Sequence, residues 1–351
     1  MKKHAIIPIF IPHKGCSHQC TFCNQQVITA KDGQVTAEKV REIADTWLST
    51  LSAKQLDCIE MAFYGGSFTG IPWEQQRQFL EVAKEYKDRG DIQKIHLSTR
   101  PDYVSEEILT GLCQYHVDII ELGVQSFDEE VLLKSRRGHS AADVEKACRL
   151  IDDFGFTLGI QLMIGLPGDS MEKAMDSARK AISLHPSLAR LYPVVVLPGT
   201  QLAEDMAQGR YHPMKEEVMV TVTAAMYKIL AEAGITILRV GLKSTDLISK
   251  ESDLCHEYHP AFRQLVEGKL ALDEMNRQIN NLLRKSLVEE DAKEQVSVYS
   301  NAHSFSAMID HKACNRKQLE KEWPKVAFSW KQDHRLQDNQ YRVCLENQQY
   351  T

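Results

Sequence analysis

Short apolar runs alternate with longer amphipathic stretches from the start of the chain to about residue 240. Six of these runs read as strands that are apolar along most of their length, at residues 6–11, 59–64, 94–98, 119–124, 158–164 and 189–196. Five stretches between them have helical spacing, at residues 37–51, 73–87, 105–115, 141–154 and 171–184. Strands of this kind are typical of sheets covered on both faces, and the alternation predicts parallel strands with right-handed crossovers.

Six strand–helix units are too few to close an eight-stranded barrel. A helical stretch at residues 215–233 leads into residues 235–240, which could add a seventh strand. In parallel barrels the site lies at the carboxyl ends of the strands, on the loops that follow them. We therefore predict an α/β fold built as a partial six-stranded TIM-like barrel, with its site on those loops.

The pattern changes after about residue 245, where the charged residues 250–253 look like a connector. A long helical stretch at residues 261–287, a strand-like run at residues 295–299 and a polar tail follow. We predict a barrel domain over residues 1–245 and a small α+β domain over residues 252–351.

Composition narrows the class of protein. The chain has 351 residues and a formal charge of −6, so any nucleic-acid binding would need a local basic patch. It has no apolar run of 18 residues and no charged-then-apolar leader, so neither a membrane span nor a signal peptide is expected. Six of the nine cysteines are scattered singly, which favours a reducing cytoplasm over a disulfide framework.

The other three cysteines, Cys16, Cys20 and Cys23, follow the first predicted strand with the spacing C-x3-C-x2-C. Three thiolates on one loop can hold three irons of a [4Fe-4S] cluster and leave the fourth iron open for a small molecule. A structural zinc site would need a fourth ligand, and His13 and His18 keep that alternative open.

The loop around the cysteines, with Phe22 just before the third, resembles the signature of the radical S-adenosylmethionine (SAM) superfamily. Later strand ends carry G-V-Q-S-F at residues 123–127, R-G-H at 137–139, G-L-P-G at 165–168 and Y-P-x-x-V-x-x-G-T at 192–200. In this order they are similar to the branch that contains the Elongator catalytic subunit, and G-V-Q-S-F and G-L-P-G also occur in oxygen-independent coproporphyrinogen dehydrogenase.

The resemblance implies a six-stranded partial barrel with a [4Fe-4S] cluster and SAM as cofactors. SAM would be cleaved to methionine and a 5′-deoxyadenosyl radical that abstracts hydrogen from the substrate, and a low-potential flavodoxin or ferredoxin would reduce the cluster. The resemblance also implies that Phe22 flanks the adenine and that the methionyl group meets Gly65, Gly66 and Ser67. The ribose and carboxylate would be ringed by Ser98, Gln125, Arg137 and Gln161.

The substrate does not follow from the resemblance, because the chain has no acetyl-CoA loop like that of the Elongator subunit and no long leader like that of the coproporphyrinogen enzyme. In the tail, six Lys or Arg residues between residues 311 and 331 are interleaved with Trp323, Phe328 and Trp330. This composition fits a single-strand RNA platform, and residues 310–315 resemble the loop of K-homology RNA modules without its glycines. A solvated helix with core aromatic residues explains the same residues, and we favour it.

Three interpretations of function follow. The first is a cytoplasmic radical SAM enzyme that modifies RNA, with transfer RNA foremost. The second is a radical SAM enzyme acting on a small molecule or a peptide. The third is a zinc-stabilised, non-catalytic RNA-binding protein.

Overall fold

A computed structural model describes residues 4–11, 14–16, 18–24, 35–51, 56–242, 259–284 and 294–346. The chain divides into two compact units. The first comprises Met1–Val222 and Ile229–Pro260, and the second comprises Thr223–Lys228 and Ala261–Thr351. The predicted boundary between residues 245 and 252 lies outside the described residues, so it stays a prediction.

The first unit contains one sheet of seven parallel strands in the order β1 to β7. The strands are β1 His4–Ile11, β2 Cys58–Gly65, β3 Lys94–Thr99, β4 Ile119–Gln125, β5 Thr157–Ile164, β6 Leu188–Pro193 and β7 Thr236–Val240. This curled half-barrel confirms the predicted fold class. The seventh strand, left open by the sequence, is present at the edge of the sheet.

The helices of this unit follow the strands along the chain. They are α1 Ala37–Leu51, α2 Trp73–Asp88, α3 Glu106–Gln114, α4 Glu129–Lys134, α5 Ala141–Asp153, α6 Met171–Ser183 and α7 Gln201–Ala207. The next helix, α8 Glu216–Glu232, belongs to this unit at its two ends, while its middle part Thr223–Lys228 is assigned to the second unit. The short helices α4 and α7 were not predicted, because six or seven residues carry too little periodicity to stand out. Both follow strand ends, where they help to frame the loops of the site.

The core of the first unit lies where strand side chains meet the helices. In β1, Ile7, Ile9 and Ile11 are buried, which is the two-residue period expected of a strand. The start of α5 is set by a capping box in which Ser140 and Asp143 bond to each other's backbone N–H groups. This cap ends the loop that carries the R-G-H motif and so fixes where that loop meets the barrel.

The second unit contains α9 Phe262–Leu283, β8 Glu294–Ser300, α10 Phe305–Ile309, α11 Cys314–Glu322, β9 Val326–Gln332 and β10 Arg342–Leu345. Its sheet has the order β10-β8-β9, in which β8 and β9 are parallel and β10 is antiparallel to β8. The tail aromatics Trp323, Phe328 and Trp330 are partly buried against the core of this unit, as expected of core aromatics rather than of an exposed stacking surface. Among the described helices, none is long and apolar enough to cross a membrane.

Candidate active site

The three cysteines of the C-x3-C-x2-C loop line one cavity of about 890 Å³ in the first unit. The loop is anchored to its neighbours by backbone bonds, because Thr21 donates its N–H to the Ser135 carbonyl at 3.1 Å and accepts the Leu202 N–H at 2.8 Å. These bonds tie the cysteines to the end of α4 and the start of α7. The loop is therefore positioned by the strand-end segments around it.

Glycines bring the loops after β1 and β2 into direct backbone contact. A Cβ on Gly66 would lie 1.9 Å from the Lys14 carbonyl oxygen, and one on Gly15 would lie 1.9 Å from that of Ser67. The Ser67 N–H also donates to the Lys14 carbonyl at 3.0 Å. The resemblance implies that Gly66 lies beside the methionyl group of SAM, and this role stays a prediction. The structure adds a second role, because the missing side chain of Gly66 makes room for the cysteine loop.

Two buried arginines lie beside the cysteines. Arg137 is 6% exposed, and its Nη1 donates to Cys20 Sγ at 3.1 Å while its Nη2 donates to the Gly123 carbonyl at 2.5 Å. Arg100 Nε donates to Asp102 at 2.9 Å, and Arg100 Nη2 donates to the Arg137 carbonyl at 2.5 Å. Burial raises the pKa of the Cys16 thiol, and so does Cys20, while the two guanidinium groups act in the opposite direction.

Each arginine keeps one buried nitrogen without a hydrogen-bond partner in the described part of the chain, Arg100 Nη1 and Arg137 Nε. Buried donors are normally paired, so such nitrogens at a cavity wall fit a site that receives an anionic or strongly accepting group. The three thiols supply soft sulfur ligands of the kind that iron–sulfur clusters use. The donor set therefore fits a thiolate-bound cluster next to a carboxylate-bearing ligand.

Gln125 reaches the cavity because β4 is irregular at its end. The pairing of β4 with β5 shifts register between Gly123 and Gln125, and Gln125 has a left-handed backbone with φ of 70°. Its side-chain oxygen accepts a bond from Gln161 Nε2 at 3.0 Å. The two glutamines, predicted separately on successive strands, are thus one hydrogen-bonded pair.

Every residue predicted to contact the cofactor lines the same cavity as the cysteines. These are Phe22, Gly65, Gly66, Ser67, Ser98, Gln125, Arg137 and Gln161. Parallel strands bring their carboxyl ends to one edge of a sheet, so loops far apart in sequence converge there. Their individual roles stay predictions. Among the described residues, no three His, Cys, Asp or Glu side chains converge as ligands of a single metal ion.

Inside the barrel the strands carry a buried network of charged side chains that the sequence patterns did not reveal. Glu121 and Arg190 form a salt bridge in which a Glu121 carboxylate oxygen lies 2.7 Å from Arg190 Nε, and the same carboxylate lies 3.8 Å from His96 Nε2. His96 Nδ1 lies 2.5 Å from a carboxylate oxygen of Glu60. Arg190 also bonds to the hydroxyl of Tyr64, and its guanidinium lies 4.4 Å from the centre of that ring.

Burial and pairing shift the pKa values of Glu60 and Arg190 in this network. Burial alone would raise the pKa of Glu60, but the hydrogen bond and charge of His96 bring it below its usual value. Burial alone would lower the pKa of Arg190, but the charge of the Glu121 carboxylate holds it above its usual value. Arg239 on β7 also lines the cavity, and it forms no ion pair with a described residue. Single charged residues inside apolar strands were the signal that could have revealed these positions.

His139, the last residue of the R-G-H motif, is 6% exposed beside the arginines. Its Nε2 lies 3.3 Å from the Val124 carbonyl oxygen. Burial, together with the charges of Arg137 and Arg100, lowers its pKa to about 4. The imidazole is therefore neutral at physiological pH.

The family model of the radical SAM superfamily matches residues 10–181 of this chain. The model of the radical SAM C-terminal domain matches residues 186–271. The chain belongs to the radical SAM superfamily. It is accordingly an enzyme of this class, and the cofactors of the class are a [4Fe-4S] cluster and SAM.

Two curated radical SAM relatives illustrate the range of similarity. The tRNA uridine(34) acetyltransferase of Methanocaldococcus infernus is 31% identical over 194 residues, which are 50% of this chain and 36% of that protein. The heme chaperone HemW of Bacillus subtilis is 27% identical over 222 residues, which are 61% of this chain and 56% of HemW. The chain thus spans between about a third and just over half of the length of these relatives.

Among solved structures, the archaeal M. infernus Elp3 lacking its N-terminus aligns with a TM-score of 0.55 at 23% sequence identity. The alignment covers 70% of this chain and 61% of the Elp3 chain. This similarity concerns the fold of the radical SAM region.

Proposed function

We propose that this radical SAM enzyme modifies RNA, with transfer RNA as the foremost candidate. The observation that carries the radical SAM part of the proposal is the cavity of about 890 Å³ lined by the three cysteines and all eight residues predicted to contact the cofactor. A cavity of this size is at the upper end of the range for small-molecule sites, so it has room for SAM and part of a substrate.

Cys16, Cys20 and Cys23 would hold three irons of the cluster, and the fourth iron would stay open for SAM. The support is the convergence of the three thiols on one cavity and the guanidinium that donates to Cys20 Sγ at 3.1 Å. The loop that carries them is held by the backbone contact between Gly66 and Lys14. These residues would fix the ligand positions and exclude water from them.

The protein would bind SAM through groups from several strand ends. Phe22 would flank the adenine, and Gly65, Gly66 and Ser67 would lie beside the methionyl group. Ser98, Gln125, Arg137 and Gln161 would contact the ribose and carboxylate. When bound, the two cofactors supply a carbon-centred radical that removes hydrogen from a substrate, and the protein contributes binding, orientation and shielding.

Arg100 is a second candidate partner for the SAM carboxylate. Like Arg137, which keeps Nε without a described partner, Arg100 keeps a buried nitrogen, Nη1, that forms no hydrogen bond with a described residue. Both guanidinium groups are within reach of the cysteine loop, so a carboxylate placed between them would accept charge-assisted hydrogen bonds from both.

Two features support RNA as the substrate, namely the sequence similarity to a relative whose name refers to tRNA and an arginine in the cavity wall. The relative from M. infernus is called a tRNA uridine(34) acetyltransferase, and its matched region includes the radical SAM part. Arg239 lines the cavity without an ion-pair partner among the described residues, which suits a substrate with phosphate groups. A low-potential flavodoxin or ferredoxin would act as the electron donor, in the cytoplasm.

The test is RNA-dependent turnover. The anaerobically reconstituted protein should form 5′-deoxyadenosine from SAM faster with total tRNA than without it, and digestion of the tRNA should yield a nucleoside of changed mass. Single Cys16→Ala, Cys20→Ala and Cys23→Ala variants should lose the iron and the activity, since a three-ligand site has no redundancy.

Cys58→Ala, Cys113→Ala and Cys148→Ala are matched controls and should keep the iron. If all six variants retained it, the ligand assignment would be wrong. If the wild-type protein cleaved SAM at the same rate with and without tRNA and left the nucleosides unchanged, RNA would be excluded as substrate and small molecules or peptides would come next.

A further inference from the structure

In the second unit, two parallel strands are joined by two short helices. The chain runs from β8 through α10 and α11 into β9, which lies beside β8, while β10 pairs with the other side of β8. Strand β9 is therefore an edge strand of this sheet. One row of its N–H and C=O groups faces no other described strand and can bond to a partner.

The turn between α10 and α11 has an unusual backbone. Asp310, Lys312 and Ala313 have φ values of 62°, 51° and 59°, which are uncommon for non-glycine residues. Asn315, just after the turn, is buried and donates from Nδ2 to the Gly268 carbonyl at 2.8 Å and to the Ala307 carbonyl at 3.1 Å. These bonds tie the start of α11 to α9 and α10, and Lys312 in the turn is exposed to solvent.

Three exposed lysines, Lys312, Lys317 and Lys321, lie in this turn and the helix after it and form no ion pair with a described residue. Lys317 and Lys321 are four residues apart on α11, so they lie on one face of that helix. Arg316 is neutralised, since it pairs with Glu320 at 2.8 Å. The lysine turn, defined as residues 310–313 with Lys317 and Lys321, therefore carries unneutralised positive charge.

The aromatic residues of the tail do not provide the binding surface. Trp323, Phe328 and Trp330 are partly buried against the core of the unit, and Trp323 Nε1 donates to Asn276 at 2.9 Å. A nucleic acid here would be held through its phosphates and through base edges, rather than by stacking on these rings.

We propose that the lysine turn, together with the open edge of β9 into which α11 leads, binds single-stranded RNA. Spaced lysines match the repeated phosphates of a strand, and the open backbone edge of β9 can hydrogen-bond to unpaired base edges. A duplex would not fit, because its base edges are already paired and its major groove is too narrow to be read. The proposal rests on the proposed RNA substrate and names the surface that would capture it.

The test uses the full-length reconstituted protein and a fluorescein-labelled RNA single strand of about 12 nucleotides, followed by anisotropy across a salt series. The double variant Lys312→Glu/Lys317→Glu should bind roughly tenfold or more weakly, and the slope of log affinity against log salt should fall by about 1.4 for two lost phosphate contacts. The matched control is Lys269→Glu/Arg277→Glu, since both residues lie in the same unit on α9, where each pairs with a carboxylate of its own helix. It carries the same charge change and should bind as the wild type does.

Thermal melting shows whether both double variants fold, and SAM cleavage without RNA should be equal in all three proteins. The proposal is overturned if both double variants weaken binding equally, or if an RNA duplex or polyglutamate of equal charge competes as well as the single strand. If the wild-type protein binds the single strand and neither double variant weakens that binding, the proposed surface is wrong, but the proposed RNA substrate is not. No RNA binding by the wild-type protein overturns both.

Discussion

At the mouth of the barrel the loops touch each other through their backbones, whereas inside the barrel the strands contact each other through charged side chains. Gly66 and Lys14 are in such close contact that no Cβ fits between them. In the interior, Glu121 and Arg190 form a buried salt bridge 2.7 Å long across three strands. The mouth should therefore be sensitive to added atoms, and the interior to lost charges.

The largest effect that this comparison predicts is at Gly66. In Gly66→Ala, the new Cβ would lie 1.9 Å from the Lys14 carbonyl oxygen, so the backbone two residues before Cys16 has to move. We expect most of the iron to be lost while the barrel stays folded. Iron and sulfide analysis after reconstitution, with circular dichroism, measures both.

Gly90→Ala is the matched control for this change. Gly90 has a positive φ, of 82°, but nothing lies within 4 Å of the position of its Cβ. The control should lose about 1 kcal/mol of stability and keep its iron. Equal iron content in the two variants would show that the loop contact does not hold the cysteines in place.

The next effect concerns the interior. Arg190→Ala leaves the Glu121 carboxylate buried without its cation, and breaking a buried pair in this way costs about 3–5 kcal/mol. Urea unfolding of the cluster-free protein measures it. The double variant Glu121→Leu/Arg190→Met should recover most of the loss, because apolar side chains of similar volume replace a buried pair at little cost. A double variant as unstable as Arg190→Ala would contradict this account.

A smaller effect is the pH dependence of stability that arises from His139 at the mouth of the barrel. Because His139 has a pKa of about 4 in the fold, against 6.5 for an ordinary histidine, the unfolded chain takes up a proton at higher pH than the folded chain does. The stabilisation is present above pH 6.5 and is lost as the pH falls toward 4, by about 3 kcal/mol at most. His139→Gln should flatten the fall in unfolding free energy between pH 7 and pH 5. An unchanged pH dependence would mean that the imidazole is not shielded as described.

The smallest effect is at Arg137. Arg137→Gln should weaken SAM binding roughly ten- to hundredfold, the loss expected for one charge-assisted bond of about 1.5–3 kcal/mol, while iron is retained. The reduction potential of the cluster should also fall, because a cation 3.1 Å from Cys20 Sγ is removed. Calorimetry measures the SAM affinity, and a redox titration measures the reduction potential. The comparison variant for both measurements is Arg100→Gln. Normal SAM affinity in Arg137→Gln together with weak affinity in Arg100→Gln would reassign the carboxylate partner to Arg100.

Most of the strands and the longer helices could be predicted because burial imposes a simple period on the sequence. The run ending at Ile11 keeps the two-residue period of a strand, and the amphipathic stretch that forms α1 keeps the period of a helix. The short helices α4 and α7, and the strands β9 and β10 of the polar tail, have too few residues or too little apolar character to do so. Their positions depend on contacts with segments far away in the sequence.

The position of Gln125 shows a similar limit. Its motif is evident in the sequence, but the register shift after Gly123 and the pairing with Gln161 are not, since a bulge leaves no pattern in a single chain. The same holds for Gly66, whose neighbour is a carbonyl more than fifty residues earlier in the chain.

The sequence by itself determined the cysteine spacing, the order of the strand-end motifs and the alternation of strands and helices, because each of these is local or periodic. Only the tertiary structure decided that Gly66 supports the cysteine loop, that Arg137 donates to Cys20, and that a charged network lies inside the barrel. These features depend on which atoms of distant strands come within a few ångströms of each other. That distance is set by sheet register and barrel curvature, which no single segment of the chain encodes.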